Sequence, residues 1–448
     1  MKKVAQKIAK KTFGNIYDKA VIPKHYGVAL TANLKRKFPA RNLKVIGVTG
    51  TNGKTTTCFM IHSILCQAGY NVGLMTTVAH GLNNDLKSQT SHMTTDPVEV
   101  ILNRIKTMKQ QGLDWLVLEV TSQALAQFRI LGIPISIAVM TNITHDHLDY
   151  HKTFTNYLKA KLKLFKMANR NKAGYRLGII NSDDEQAIHF AEAIKNVVGY
   201  SQITDNDQTI ARPSNLKLMA TGSRFTIKIQ NDNYDIVCNL PGSFNVENAM
   251  AAILSARAIG VNKKNIELGL ANLKEVEGRM ISLDEQQLFS VIIDFAHTPD
   301  SFLKIFRDLR PLVKGKLIAV FGSAGRRDKV KRQPMGTIAG KYADLIIITE
   351  DDPRDEGYQV IADDILKGVE SQGKHLNETV FLIENRRQAI RKAINLATSK
   401  LDMVLLLGKG HEKSLARAGG DDPWDEITET RKLLRQYLKQ SDHNSKTK

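Results

Sequence analysis

The sequence predicts an α/β protein built on two mainly parallel sheets, and three observations carry that prediction. Apolar strand-like runs alternate with amphipathic helical runs from Leu43 onward, a polar β-patterned stretch interrupts them at 212–238, and the alternation begins afresh after Gly278. The 448 residues are also too many for one ordinary core. In the first series the expected strands are Leu43–Thr49, Asn71–Met75, Trp115–Val120, Ser136–Thr141 and Leu177–Ile180, between helices such as Thr55–Ala68 and Thr153–Ala168. Asp96-Pro97 reads as a helix start, a capping carboxylate with proline at the first helical position. Arg212–Cys238, with Asn231-Asp232-Asn233, reads as a β-hairpin appended to the first domain.

In the second series the expected strands are Phe289–Asp294, Lys316–Phe321, Leu345–Thr349 and Met403–Leu407, with a helix over Arg386–Ser399. The expected organisation is a short basic segment over 1–42, a central domain over 43–278, a C-terminal domain over 279–440, and a polar disordered tail over 441–448.

Composition narrows the function classes. No run of roughly 18 apolar residues occurs, so no membrane span is expected, and MKKVAQKIAKK lacks the apolar core of a secretion signal. A cytoplasmic protein is the natural reading. The three cysteines, Cys58, Cys66 and Cys238, form no C-x-x-C pair, which argues against a zinc ribbon or a disulfide frame. The formal charge of +19 admits a nucleic-acid or membrane-surface partner, but the lysines are spread along the chain without an aromatic-interleaved block. A basic surface equally suits an enzyme with nucleotide and carboxylate substrates. Lys2–Lys11 is read as a solvated helix face, with a membrane surface as its alternative.

The chemistry starts at Val45–Thr57, VIGVTGTNGKTTT, where an apolar strand runs through a glycine turn into a helix. Gly50 and Gly53 allow a tight turn with inward N–H groups, and the helix start favours phosphate. Lys54 would reach the β- and γ-phosphates and the Thr55 hydroxyl would hold magnesium, which makes the central domain P-loop-like despite a spacing that departs from the strict motif. Glu119 ends another strand and is a candidate metal ligand. A third strand leads into Asn142-Ile143-Thr144-His145-Asp146-His147, and Tyr157 and Lys161 share a helix face one turn apart. Helical spacing alone does not choose Lys161 over Lys159 or Lys163.

In the second, Rossmann-like series four charged loops follow strands: Asp294–Asp300, Gly322–Arg332, Glu350–Arg354 and Gly408–Glu412. Together they read as one binding edge facing the nucleotide domain.

These residues bring the chain into resemblance with the Mur ligases, the ATP-dependent amide-forming enzymes of peptidoglycan synthesis, and within them with the members that build the muramoyl tripeptide. The likeness runs from about Leu43 to Leu434 and rests on TGTNGKTTT, EVTSQALAQFR, TNITHDHLDYH, YLKAKLKLF, PGSFNVENAMAA, EGRM, DFAHTPD, GRRDKVKRQPMG, DDPR and GKGHE, in that order.

The resemblance implies a ligase that uses ATP and magnesium to activate the terminal carboxylate of UDP-MurNAc-L-Ala-D-Glu as an acyl phosphate and then joins a free diamino acid to it, releasing ADP and phosphate. It implies that Gly50, Thr51, Asn52, Gly53, Lys54, Thr55 and Thr56 hold the phosphates, that Asn248, Arg279 and Asp294 serve adenine, phosphate and ribose, and that Thr55, Glu119 and His147 bind metal. Lys54, His147 and Lys161 would be catalytic, with Lys161 carbamylated and engaging a second magnesium. Thr94, Thr95, Thr121, Gln127 and Arg129 would contact the sugar-peptide, and Arg327, Asp351, Asp352, Arg354, Gly408 and Glu412 the added amino acid. Arg354 points to meso-diaminopimelate, because a guanidinium grips its distal carboxylate in a fork.

Four positions depart from the family pattern: Asp352 stands for asparagine, Gln123 for histidine, Glu277 for proline and His145 for arginine. Asp352 pulls the expectation towards lysine or another diamino acid. Ahead of Leu43, where the family carries a UDP-binding domain, the resemblance implies a shortened or missing one. A monomer without nucleic-acid partners is expected. The alternatives are a ligase similar to folylpolyglutamate synthase and a non-catalytic nucleotide-binding scaffold of the cell-wall machinery.

Overall fold

The computed structural model describes residues 14–89, 93–204 and 208–446. The basic stretch Lys2–Lys11 lies outside them. The chain forms two compact units, one of 1–214, 226–236 and 247–272, the other of 215–225, 237–246 and 273–448. The second unit thus takes two short pieces from within the stretch expected to be the central domain.

In the first unit nine strands form one sheet: β1 Lys44–Thr49, β2 Val72–Met75, β3 Ala79–Leu82, β4 Asp85–Ser88, β5 Trp115–Glu119, β6 Ile135–Met140, β7 Leu177–Asn181, β8 Asn196–Tyr200 and β9 Thr209–Ala211. Their order is β4-β3-β2-β5-β1-β6-β7-β8-β9, parallel from β2 to β9, with β3 and β4 antiparallel at one edge. β1, β5 and β6 are buried along almost their whole length, which is why they read as continuous apolar runs rather than alternating ones. One sheet face packs Leu116, Leu118, Ile135 and Met140 against Ile105 of the helix Val98–Gln110 and Leu164 of the helix Phe154–Arg170. The helix Lys54–Gln67 follows β1, and Gly269 of the helix Lys263–Asn272 would place a Cβ 2.5 Å from Ile64 Cα, so these two helices meet backbone to backbone.

The stretch expected as a hairpin is a three-stranded sheet of β10 Pro213–Met219, β11 Gly222–Ile229 and β12 Asp232–Cys238. The missed strand is β10, whose half-exposed alternation carries little apolar signal. The helix after Asp96 begins at Val98 with Pro97 as its N-cap and no side-chain cap. The Asp96 carboxylate instead accepts from Arg104 and Gln89 at Oδ2, both at 2.6 Å.

The second unit holds β13 Ile281–Leu283, β14 Ser290–Asp294, β15 Leu317–Phe321, β16 Leu345–Ile348, β17 Val380–Leu382 and β18 Met403–Leu407, in the order β13-β14-β18-β15-β16-β17, all parallel except β13. Side chains alternate between two cores. Leu405, Leu407, Ala319 and Phe321 join Phe302 and Ile361 on one face, while Val404, Leu406, Ile318 and Val320 join Ile390 and Leu434 on the other. Thr298 caps the helix Pro299–Leu309 in a capping box with Pro299 at its start. The last helix runs Glu426–Lys446, so the polar tail expected to be disordered from 441 is helical to Lys446; no glycine or proline occurs there to stop it.

The completely buried pair Arg386 and Glu426 ties that helix to the sheet. Arg386 donates from Nε and Nη2 to both Glu426 oxygens and from Nη1 and Nη2 to the carbonyls of Glu350 and Leu407, at the ends of β16 and β18. Removing one member leaves the other charge buried and alone. Arg386→Met is expected to lower unfolding stability by about 3–5 kcal/mol, read from urea titration, and Arg386→Met with Glu426→Leu to recover much of that loss.

Candidate active site

β1, the central strand of the first sheet, delivers the phosphate turn between the ends of β5 and β6. Val48 lies opposite Glu119 on one side and Val139 on the other, so the loops after all three strands leave one carboxyl edge. The loop after β6 clamps the turn. Thr51 N donates to Asn142 O at 2.8 Å, Asn52 N to Asn142 Oδ1 at 2.9 Å, and Thr141 Oγ1 to Asn52 O at 2.6 Å. A side chain on Gly50 would overlap the Thr141 hydroxyl, and one on Gly53, at φ 82°, would overlap Asn248 Oδ1.

The Thr55 hydroxyl donates to Glu119 Oε2 at 3.0 Å, and the same oxygen accepts from Thr77 N at 3.0 Å. An alcohol and a buried carboxylate meeting at the start of a helix are the oxygen ligands a hard divalent cation takes, so the residues fit magnesium. Lys54 Nζ donates to Thr51 O at 2.8 Å, lying over its own turn. Asn248 Oδ1 accepts from Thr57 Oγ1 at 3.2 Å, which brings the FNVEN helix to the phosphate-turn helix. Thr56 is buried in that helix.

Lys161 is the residue spacing could not single out. It is 2 % exposed, whereas Lys159 and Lys163 are exposed. Its Nζ donates to Gly50 O at 2.5 Å and lies 4.7 Å from the Tyr157 ring centre, and the Tyr157 hydroxyl is 2.8 Å from Thr51 Oγ1. Burial, and then the Lys54 cation, push its pKa well below the lysine value, against Asp146 and Glu119. Lys161 shares the buried face of its helix with Tyr157, Leu158, Leu164 and Phe165.

His147 has φ 54° and a half-open side chain 3.4 Å from the Asp146 carboxylate, with its ring 6.4 Å from that of Tyr157. It therefore lies on the Tyr157 and Lys161 side of the turn. Thr95, Thr121, Gln127 and Arg129 form one network: Thr95 Oγ1 donates to Glu119 O at 3.0 Å, Thr121 N to Thr95 Oγ1 at 3.1 Å, and Arg129 to Thr95 O and Gln127 Oε1, both at 2.6 Å. Thr94 is half-buried beside it.

The second unit assembles its own edge. β14, β18, β15 and β16 are adjacent and parallel, so the four charged loops leave the same side of the sheet. Asp294 accepts from Met280 N at 2.8 Å and Ala296 N at 2.7 Å; burial raises its pKa, opposed by Arg279, whose guanidinium lies 4.8 Å from the Phe295 ring. Arg354 donates to Gly325 O at 2.6 Å and lies 3.8 Å from Asp352, while Arg327 is exposed. Gly408 N donates to Asp294 O at 3.1 Å.

At the centre of that edge stands Lys409, which was not among the expected site residues. Fully buried, it donates to Asp352 Oδ1 at 2.8 Å and Glu412 Oε2 at 2.5 Å, and lies 3.9 Å from Asp351. Burial raises the pKa of Asp351 and Glu412, with Lys409 opposing; for Asp352 the Lys409 charge and hydrogen bonds, with one from Ala416 N, outweigh burial and lower it. A lysine three residues before Glu412 at a strand end was a legible hint. Of the other departures, Glu277 pairs with Lys413 at 2.6 Å, His145 stacks on Phe154 at 5.1 Å, and Gln123 accepts from Ser122 at 3.2 Å.

Comparison with known proteins agrees with this geometry. Residues 48–256 match the Mur ligase middle domain and residues 278–410 the Mur ligase, glutamate ligase domain. The UDP-N-acetylmuramyl-tripeptide synthetase of Roseiflexus sp. (strain RS-1) is 38% identical over 404 residues, which are 88% of this chain and 79% of that one. The UDP-N-acetylmuramoyl-L-alanyl-D-glutamate--2,6-diaminopimelate ligase 1 of Clostridium acetobutylicum is 37% identical over 378 residues, 84% of this chain and 74% of that one. A solved UDP-N-acetylmuramoyl-L-alanyl-D-glutamate--2,6-diaminopimelate ligase superposes with a TM-score of 0.61 at 29% identity, covering 89% of this chain and 80% of the other. With its phosphate turn, its buried Glu119 and Lys161 and its charged second edge, the chain belongs to the Mur ligases, the ATP-dependent enzymes that form amide bonds.

Proposed function

We propose that this chain adds meso-diaminopimelate to UDP-MurNAc-L-Ala-D-Glu. The observation that carries the proposal is the meeting of Lys54, Thr55, Glu119 and Lys161 around one glycine turn, where charge on a phosphoryl group in transfer can be neutralised. The γ-phosphoryl of ATP passes to a carboxylate oxygen of the acceptor, giving ADP and an acyl phosphate. The amine of the incoming amino acid attacks the carbonyl carbon, and the tetrahedral adduct expels phosphate and a proton. Lys54 turns from the Thr51 carbonyl to the phosphate oxygens, and the turn's N–H groups hold them. Thr55, Glu119 and His147 would hold magnesium, which supplies positive charge at the phosphates.

The depressed pKa of Lys161 leaves a larger share of neutral amine, the form that adds carbon dioxide: the N–C bond forms, one proton leaves, and the neutral amine becomes an anionic carbamate that can serve as an oxygen ligand. The Thr95, Thr121, Gln127 and Arg129 network supports a contact surface for the sugar-peptide beside Glu119.

For the amino acid, Asp352 was the reason to consider lysine. Its carboxylate is engaged by Lys409, which it shares with Asp351 and Glu412, and by Ala416 N. Arg354, which donates from Nη1 to Gly325 O and lies 3.8 Å from Asp352, has further donors with which to receive a distal carboxylate. That supports diaminopimelate.

The direct test offers the purified chain UDP-MurNAc-L-Ala-D-Glu with diaminopimelate, lysine or glutamate and weighs the product. Diaminopimelate incorporation with ADP release dependent on both substrates is expected; a lysine product would reject the specificity, and no product with any of the three would reject the function. Arg354→Ala is expected to raise the KM for diaminopimelate about ten- to a hundredfold, the loss of about 1.5–3 kcal/mol from a charge-assisted fork, with the KM for ATP nearly unchanged. Lys161→Ala is expected to lose turnover and regain part of it with added short carboxylates. Labelled carbon dioxide should give a carbamate carbon resonance in the native protein that the variant lacks.

A further inference from the structure

The chain's charge is more unevenly placed than its scattered lysines suggest. Residues 1–44 contain ten lysines and two arginines against a single acid, Asp18, a net +11 of the chain's +19 in a tenth of its length. No aspartate or glutamate occurs from residue 19 to residue 84.

Within the described part of that segment, the helix Gly14–Lys35 reverses the usual amphipathic arrangement. Inward it presents Ala29 and Ala32, which pack on Val98 and Leu102 of the neighbouring helix in the same unit. Outward, four residues apart, it presents Tyr26, Leu30 and Leu34, the last 58% exposed. Phe38 continues the row past the helix end, in a turn where both Lys37 and Phe38 take positive φ, 55° and 51°. A phenylalanine rarely adopts that backbone, and this one is held there while 38% exposed. Exposed Lys24, Lys35 and Lys37 flank the row, and Lys106 and Lys109 continue the positive surface on the neighbouring helix. The local field is felt at His25, whose pKa falls through burial and then through Arg129 and Lys24.

We infer that this face docks on an anionic lipid bilayer, with Tyr26, Leu30, Leu34 and Phe38 entering the headgroup boundary and the flanking lysines pairing with anionic headgroups. Apolar side chains, aliphatic and aromatic, set beside lysines suit a bilayer, in which the stem of a lysine is buried while its ammonium stays with the headgroups. A nucleic-acid surface would call for arginine forks, whereas lysines outnumber arginines five to one in residues 1–44. The surface has no part in the ligase chemistry proposed above, so each reading can fail without the other.

The experiment is co-sedimentation of the full chain with vesicles of phosphatidylcholine containing phosphatidylglycerol, and with vesicles of phosphatidylcholine alone. Binding to the anionic vesicles only, weakened by salt, is expected. Lys24→Gln, Lys35→Gln and Lys37→Gln together should lower the partition coefficient about a hundredfold, roughly fivefold per charge. Leu30→Ser with Leu34→Ser should lower it at least tenfold, and both variants should keep the ligase activity of the native chain in solution. Equal binding to neutral vesicles, no loss in the serine variant, or tighter binding to duplex DNA than to the anionic vesicles would overturn the inference. So would a concentration-dependent dimer that Leu34→Ser abolishes.

Discussion

A Cβ at residue 50 would collide with the Thr141 hydroxyl, and the rest of the first unit's chemistry depends on that close approach of two strand ends. With glycine there, the phosphate turn lies against Asn142, its N–H groups take their direction, and the Gly50 carbonyl is left to accept from Lys161. Thr55 and Glu119 then meet because β1 and β5 are neighbours in register. The sheet order fixes which loops share an edge, and the absent side chain fixes how near they come.

The second unit solves a different problem at the same kind of edge. Its strand ends bring Asp351, Asp352 and Glu412 together, and three carboxylates at that spacing would repel one another in a buried setting. A cation was needed, and the chain supplies its own in Lys409. The arrangement leaves an edge organised by an internal ion network, with Arg354 beside it, 3.8 Å from Asp352.

Much of this was legible in the sequence. The nine long strands expected all exist, most within one residue of their expected ends, because strands buried on both faces are written as uninterrupted apolar runs. β10 was missed for the opposite reason: half-exposed strands carry polar residues that resemble a loop. The Asp96 cap failed because a side chain with a better partner eight residues on, Arg104, does not serve the local backbone. Lys409 escaped because the nearby Glu412 hints at a pair but not at burial; Asp351 and Asp352, brought by another strand, complete the ring of carboxylates that makes burial tolerable.

The two buried lysines show how one side chain is put to opposite uses. Lys161 is buried and near another cation, Lys54, and these disfavour its charged form against the pull of Asp146 and Glu119. Lys409, equally enclosed, has three carboxylates around it, which raise its pKa above the lysine value and keep it a permanent cation. Burial alone therefore assigns neither role. The neighbouring charges decide, and in each unit some of them come from the end of another strand, Lys54 after β1 in the first and Asp351 and Asp352 after β16 in the second, so the chemistry depends on the sheet order as well as on the motifs.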